Sequence, residues 1–230
     1  MRVNISVVVP VYNSSATLRE LVHALHGVLD SIADQYELIL VNDGSRDNSA
    51  AVMEELAERY GFIRPVNLMR NYGQHNALLC GLRAARFDTI VTLDDDLQNP
   101  PEEIPKLLAK LDEGYDVVYG VPHAQQHGLW RNLASQITKL VLQNAIGAEN
   151  ASKISPFRAL RTRLRHAFAN YQNPFVSVDV LLTWGTSRFS WVYIAHRERK
   201  VGVSNYTFRK LVTHAINLIT GFSTLPLQLA

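Results

Sequence analysis

Thr-Ile-Val-Thr-Leu-Asp-Asp-Asp-Leu-Gln-Asn-Pro-Pro, residues 89–101, decides the fold. A β-branched apolar run stops abruptly at three carboxylates. Pro101, Glu102 and Glu103 then open a helix. A buried strand that ends in clustered acids places hard oxygen ligands at the carboxyl edge of a sheet, where open α/β sheets bind ligands. Three adjacent acids repel one another unless a cation shares them. Mg²⁺ or Mn²⁺, held by one or two carboxylates together with substrate phosphates, fits that demand. In extended backbone, alternate side chains share a face. Asp94 and Asp96 therefore converge on one ion with Gln98, and Asp95 points elsewhere.

The same alternation of strand and helix extends outward from this stretch. Ile5–Val9 reads as a buried strand. Leu18, Leu21, Val22, Leu25, Val28, Leu29 and Ile32 form a helical stripe, with Thr17 and Glu20 at capping-box spacing. Strands follow at 37–41, 65–69, 89–93 and 116–119, and helices at 48–60, 74–85 and 101–111. This pattern predicts a mostly parallel, helix-covered α/β sheet. Right-handed crossovers bring the polar strand ends at Asn13, Asp43 and Asp94 to one edge. Beyond residue 120 the pattern predicts helices over 130–146 and 157–171 and a strand over 189–196. An amphipathic helix is predicted around Phe208–Phe222, suited to a membrane interface.

The composition narrows the class. A chain of 230 residues, 47% hydrophobic, supports one substantial core. The single cysteine, Cys80, excludes an internal disulfide and fits a reducing compartment. No apolar run is long enough to span a membrane. The net charge of +2 hides an asymmetry: residues 1–120 carry 10 Lys/Arg against 18 Asp/Glu, and residues 121–230 carry 13 against 3. The basic half is expected to face an anionic partner. Aromatics are not interleaved with the basic residues as a stacking platform requires, so nucleic acid is not expected. No nucleophile elbow, P-loop or dinucleotide fingerprint is present.

Four further segments carry chemistry. At Asn42-Asp43-Gly44-Ser45-Arg46-Asp47, Asp43 can accept from a base or ribose, and Gly44 permits close backbone approach. The bland reading is a helix-capping turn through Asp47 and Asn48, and the two are compatible. Arg70-Asn71-Tyr72-Gly73-Gln74 sits before a helix N-terminus and suits an anion or a nucleotide; an ordinary turn at Gly73 accounts for it equally well. Around His75 no second His, Cys or Asp falls at zinc spacing, and it reads as a helix-end histidine. The basic residues Arg131, Arg158, Arg199 and Lys210 can clamp phosphates, although a solvated basic face explains any one of them alone.

Val9-Pro10-Val11-Tyr12-Asn13, Asn42-Asp43-Gly44-Ser45-x-Asp47, Arg70-Asn71-x-Gly73-Gln74 and Asp94-x-Asp96-Leu97-Gln98-Asn99-Pro100-Pro101 occur in this order. Together they resemble the family 2 glycosyltransferases of GT-A fold. Within that family the chain is most similar to the polyprenyl-phosphate glycosyltransferases, which include dolichol-phosphate mannose synthase and undecaprenyl-phosphate aminoarabinose-type transferases. Arg199-x-x-Gly202-x-Ser204-x-Tyr206-x-x-x-Lys210-Leu211 and Gly221-Phe-Ser-Thr-Leu-Pro-Leu extend the likeness toward the end of the chain.

The resemblance implies inverting transfer of a sugar from a nucleotide-sugar, expected to be a UDP-sugar, to a polyprenyl phosphate. It implies that Pro10, Tyr12, Asn13, Asp43, Arg70, Gly73, Asp94 and Asp95 bind the donor. Asp94, Asp96 and Gln98 would hold Mg²⁺ or Mn²⁺. Arg131, Arg158, Arg199, Ser204 and Lys210 would gather the acceptor phosphate. Asp96, Arg131 and Arg158 would carry the catalysis. The residues before Phe157-Arg158 are Ile154-Ser155-Pro156, where many relatives have an acid, which leaves Asp179 as the one candidate base between residues 150 and 197.

The implied layout is a GT-A domain over 1–200, with a nucleotide- and metal-binding half (1–120) and an acceptor half (121–200), followed by an amphipathic juxtamembrane segment over 201–230. That layout places the protein at the cytoplasmic face of a membrane, peripheral through its last helix or integral if membrane helices follow Ala230, with homo-oligomers left open. Two alternatives remain: an enzyme of the same fold with a saccharide or other soluble acceptor, and a non-catalytic membrane-associated nucleotide-binding partner.

Overall fold

The computed structural model describes residues 3–123 and 151–197. Strands β1 (Val3–Val11), β2 (Ala33–Asn42), β3 (Ile63–Asn67), β4 (Thr89–Thr92), β5 (Val117–Pro122), β6 (Arg158–Arg161) and β7 (Phe189–Ile194) form one seven-stranded sheet in the order β3-β2-β1-β4-β6-β5-β7. Pairing is parallel except where β6 runs antiparallel between β4 and β5. This is the mostly parallel sheet that the alternation predicts.

Helices α1 (Leu18–Ile32), α2 (Ser49–Arg59) and α4 (Ile104–Asp112) cover one face. The stripe Leu18, Leu21, Val22, Leu25 and Leu29 is fully buried against Ile5, Val7, Val9 and Val11 of β1. Each such side chain contributes about 1.5–3 kcal/mol on burial. Helix α3 (Gln74–Ala84), a short helix α5 (Val178–Thr183) and a 3₁₀ segment (Thr162–Phe168) cover the other face, over Val8, Ile39, Val41 and Ile90. Strands buried on both faces read as continuous apolar runs, which is why β1 and β2 are so legible in the sequence.

Three expectations need correction. Residues 157–171 are not a helix: β6 and the 3₁₀ segment occupy them. The physical reason is a period of two rather than 3.6. Phe157 and Ala159 face the α1/α2/α4 layer, while Leu160 faces the α3/α5 layer. The expected capping box at α1 does not form through Thr17, whose hydroxyl instead donates to Ser14 O and Asp95 O. Strand β3 runs two residues earlier than expected, from Ile63 to Asn67. The predicted helices at 130–146 and around Phe208–Phe222 lie outside the described residues, and among those described no helix is long and apolar enough to cross a membrane.

At the amino-terminal edge of the sheet a buried carboxylate pins the strands. Glu37 is 1% exposed and accepts from Ser6 Oγ at 2.7 Å and from Arg86 N and Nε at 2.7 and 2.9 Å. Burial alone would raise its pKa. The bonds from Ser6 and Arg86 outweigh burial and hold it below the usual carboxylate range.

Candidate active site

Strand order 3-2-1-4 puts a topological switch point between β1 and β4. The chain steps from β1 to β2 and β3 on one side, and β4 lies on the other. Open α/β sheets bind ligands outside the carboxyl ends of their strands at such a point. The ends brought together there are Tyr12-Asn13 after β1, Asp43-Gly44 after β2 and Asp94-Asp95-Asp96 after β4. The three polar strand ends singled out in the sequence therefore do share one edge.

The three acids have different surroundings. The carboxylate of Asp95 turns inward and accepts from Tyr12 N at 3.2 Å and from the Ser14 hydroxyl. Burial raises its pKa, partly offset by those bonds, with the Asp96 charge adding to the rise. Asp94 Oδ1 accepts from Gln74 Nε2 at 2.6 Å, and Asp96 Oδ1 accepts from Gln98 N at 3.1 Å. Asp94 and Asp96 are both half-buried. Asp95 thus fastens the acidic loop to the loop after β1. The expectation that it binds the donor meets a carboxylate already engaged by protein groups.

Leu97 forces the turn in this loop. It has φ +61°, unusual for a branched side chain, and is only 5% exposed. Its burial in the α1/α4 core holds the backbone in the left-handed region, and such strain collects at ligand-handling loops. Nothing in the sequence marks that φ; the available signal is one apolar residue amid polar ones. Two further contacts escape the sequence. Gln74 orients Asp94, and the end of β7 closes on the acidic loop: Arg197 N donates to Gln98 O at 2.8 Å, and His196 Nε2 lies 3.5 Å from Gln98 Nε2.

The loops after β1, β2 and β3 are mutually tied. Asn13, at φ +55°, donates from its N–H to Ser45 Oγ at 3.0 Å and accepts from Arg46 N at 2.8 Å. Asp43 is 3% exposed and accepts from Tyr72 N at 2.7 Å and Gly73 N at 2.9 Å. Burial raises its pKa against those two bonds. Its carboxylate holds the Arg70–Gly73 loop from behind, at the strand end where contact with a base or ribose is expected. Pro10 is buried within β1, Tyr12 and Gly73 are half-buried, and Asn13 and Arg70 are exposed. Asp47, one residue before the Asn48 N-cap of α2, accepts from Ser49 N at 3.0 Å, while the Asn48 side chain makes no capping bond. Burial opposes ionisation, yet bonds from Ser49 and Ser15 bring Asp47 down to about 2.

Gly44 sits where the loops after β2 and β3 touch. Its φ is +65°, and a Cβ there would lie 2.6 Å from Arg70 C and Asn71 N. Backbone cannot swing aside as a side-chain tip can. Gly44→Ala is expected to cost about 1–3 kcal/mol through combined clash and strain. An unchanged urea midpoint would show that the loops part without penalty.

The expected anion-gathering residues fare differently. Arg131, Arg199, Ser204 and Lys210 lie outside the described residues. Arg158 is 2% exposed, donates to Asp179 through Nη1 and sits over the Tyr119 ring, 5.8 Å from its centroid. Tyr119 Oη also donates to Asp179 Oδ1, at 3.0 Å. Burial and the adjacent Asp179 carboxylate push the Tyr119 pKa well up. Arg158 therefore does not lie on an open anion surface, because the β6 register turns it under α5. Asp179, 5% exposed and bonded to both Arg158 and Tyr119, is not placed to accept a substrate proton.

A metal can be tested against this donor set. Among the described residues no three acid, His or Cys side chains gather into a closed cage. A closed cage is not what Mg²⁺ or Mn²⁺ requires when substrate phosphates complete its shell; one or two carboxylates suffice. Asp94 and Asp96, half-buried on one loop, fit that form of site.

Residues 6–172 match the family model for glycosyl transferase family 2. Undecaprenyl-phosphate 4-deoxy-4-formamido-L-arabinose transferases of Klebsiella pneumoniae and of Enterobacter are each 38% identical over 226 residues, covering 98% of this chain and 69% of theirs. Among solved structures, glucosyl-3-phosphoglycerate synthase from Mycobacterium tuberculosis in complex with Mn²⁺, UDP and phosphoglyceric acid superposes with a TM-score of 0.67 at 22% identity, covering 94% of this chain and 76% of that one. That likeness establishes a shared fold. With the family match over most of the chain and the 38% identity to relatives aligned along nearly all of it, the protein belongs to glycosyl transferase family 2 and is a glycosyltransferase.

Proposed function

We propose that this enzyme transfers a sugar from a UDP-sugar to undecaprenyl phosphate with inversion at the anomeric carbon, aided by Mg²⁺ or Mn²⁺. The observation that carries the reading is the acidic strand end at the switch point, next to Tyr12 and Asn13, in a chain 38% identical to undecaprenyl-phosphate transferases. The structural neighbour, solved with Mn²⁺ and UDP bound, supports the donor and the ion.

In this reading a phosphate oxygen of the acceptor forms the new bond to the anomeric carbon as the bond to the nucleoside diphosphate breaks. Asp94 and Asp96 would hold the ion, whose chemistry is to neutralise charge on the leaving diphosphate. Gln74 fixes the Asp94 carboxylate in advance. Tyr12, Asn13, Arg70 and Gly73 form the rim that receives the nucleotide, and Asp43 sets that rim from behind. No base is assigned. A phosphate acceptor is already ionised near neutral pH, so positioning and charge stabilisation can carry the transfer.

A saccharide acceptor is the rival. Turnover is measured with the lipid phosphate in vesicles and with a saccharide at matched concentration, starting with the 4-deoxy-4-formamido-L-arabinose donor suggested by the relatives' names. Transfer to the lipid phosphate alone is expected. Equal turnover on the saccharide would overturn the acceptor assignment.

A further inference from the structure

A cleft of about 460 Å³ opens at the amino-terminal edge of the parallel strands, opposite the acidic loop. Asp88 precedes β4, Tyr115 and Asp116 precede β5, and Arg188 precedes β7. Arg161 and Arg163 lie at and beyond the end of β6, which runs the other way and so finishes at this same edge. Strand β4 separates Asp88 from Asp94. At roughly 3.3 Å per residue the two edges stand about 15–20 Å apart, so the cleft is not an extension of the site at the switch point.

Its walls are set by one buried carboxylate. Asp116 is 4% exposed. Its Oδ1 accepts from Arg163 Nη2 at 2.8 Å and Arg188 Nη2 at 3.1 Å; its Oδ2 accepts from Arg188 Nε at 3.0 Å and Thr186 Oγ1 at 2.7 Å. Burial works against the charge, but bonds from Arg188, Thr186 and Arg163 hold the group down at about 2. One carboxylate shared by two guanidinium groups leaves a formal positive excess on the wall. A third guanidinium, Arg161, is fixed separately through Leu111 O at 3.2 Å and Asp112 Oδ1 at 3.0 Å. Each guanidinium has five N–H donors, most of which remain unused by these contacts. The side chains of Arg163 and Arg188 are 66% and 57% exposed toward solvent. Their ordering cost is met within the fold, which favours binding of an anion shaped for forked donors.

Asp88 adds an acceptor to the same cleft, and Tyr115 adds a ring. A bare phosphate would satisfy the arginines and be repelled by Asp88. A ligand with a phosphate at one end and hydroxyls at the other would satisfy both. A purely structural staple around Asp116 accounts for Arg163, Arg188 and Thr186. It does not account for Arg161 or Asp88 facing the same space. We propose that this cleft binds a hydroxylated phosphate ester of the sugar-phosphate class, independently of the catalytic edge.

The test is calorimetric titration of the full chain in EDTA with glucose 1-phosphate and with inorganic phosphate. Saturable binding is expected, at least about tenfold tighter for the hexose phosphate. Arg161→Gln, whose partner Asp112 is half exposed, is expected to weaken both ligands about tenfold at unchanged melting temperature. Asp88→Asn is expected to abolish only the preference for the ester. Excess UDP and Asp96→Asn are expected to change neither affinity. The proposal falls if the hexose phosphate fails to saturate by about 10 mM, if Arg161→Gln binds like the parent, or if UDP or Asp96→Asn removes the signal, which would place the ligand at the catalytic edge.

Discussion

Asp96→Ala is expected to lower turnover by about 10²–10³-fold or more, the scale seen when a group that stabilises developing charge is removed. Asp96→Ala gives up the bond from Gln98 N but relieves repulsion among three adjacent carboxylates, so the melting temperature of the free protein should hardly move. The separate readout is ligand-induced stabilisation. UDP with Mn²⁺ stabilises any protein that binds them only when folded, by about 2.7 kcal/mol at a hundred times Kd, and so raises its melting temperature. That increment should appear in the parent and vanish in the variant. An Asp96→Ala protein stabilised by Mn²⁺ and donor as strongly as the parent would remove Asp96 from the metal site.

The second large effect concerns Asp179. Breaking a buried ion pair by removing one partner costs about 3–5 kcal/mol, because the other charge is left without compensation. Asp179→Ala strands Arg158, whose Nε already lacks a hydrogen-bond partner among the described residues, and takes the acceptor from Tyr119. Asp179→Asn keeps an acceptor for both groups and should cost less. The pair of variants also separates two roles. A structural carboxylate predicts that denaturant stability falls in both while the Asn variant keeps most of its turnover. A general base predicts the opposite: near-parent stability and lost turnover in Asp179→Asn. The first pattern is expected from the burial of Asp179.

These effects also mark what the sequence could convey. The β1–α1–β2 unit is legible because its apolar periods are strong and local. The acidic strand end is legible because three carboxylates directly after a buried run repel one another and call for a counter-charge. The arginines of 158–165 mislead. On a helical wheel they look like a solvated face, yet Arg158 can be buried because Asp179, 21 residues later, supplies its counter-charge. Ser14 reaches Asp95 across 81 positions and Gln74 reaches Asp94 across 20. No window of local sequence contains both ends of such a contact. The loop-tying bonds of Asp43 and Asp95 are hidden from the sequence for the same reason. Both acids stand at the strand ends where the sequence puts them, but the orientation of each carboxylate depends on a distant loop.

The reversed strand has a consequence for how the chain is made. β3, β2, β1 and β4 can assemble in sequence order, each new strand finding a neighbour already synthesised. β5 cannot. Its two neighbours are β6 and β7, both later in the chain, and it meets β4 only through β6. During vectorial synthesis the four-stranded portion can therefore close early, while β5 waits as an unpaired edge until residues 158–161 emerge to bridge it. Pairings of that sequence separation are slow because loop closure precedes any gain in contact energy. Until β6 arrives, β5 presents an unpaired edge of the kind that invites aggregation in a nascent chain.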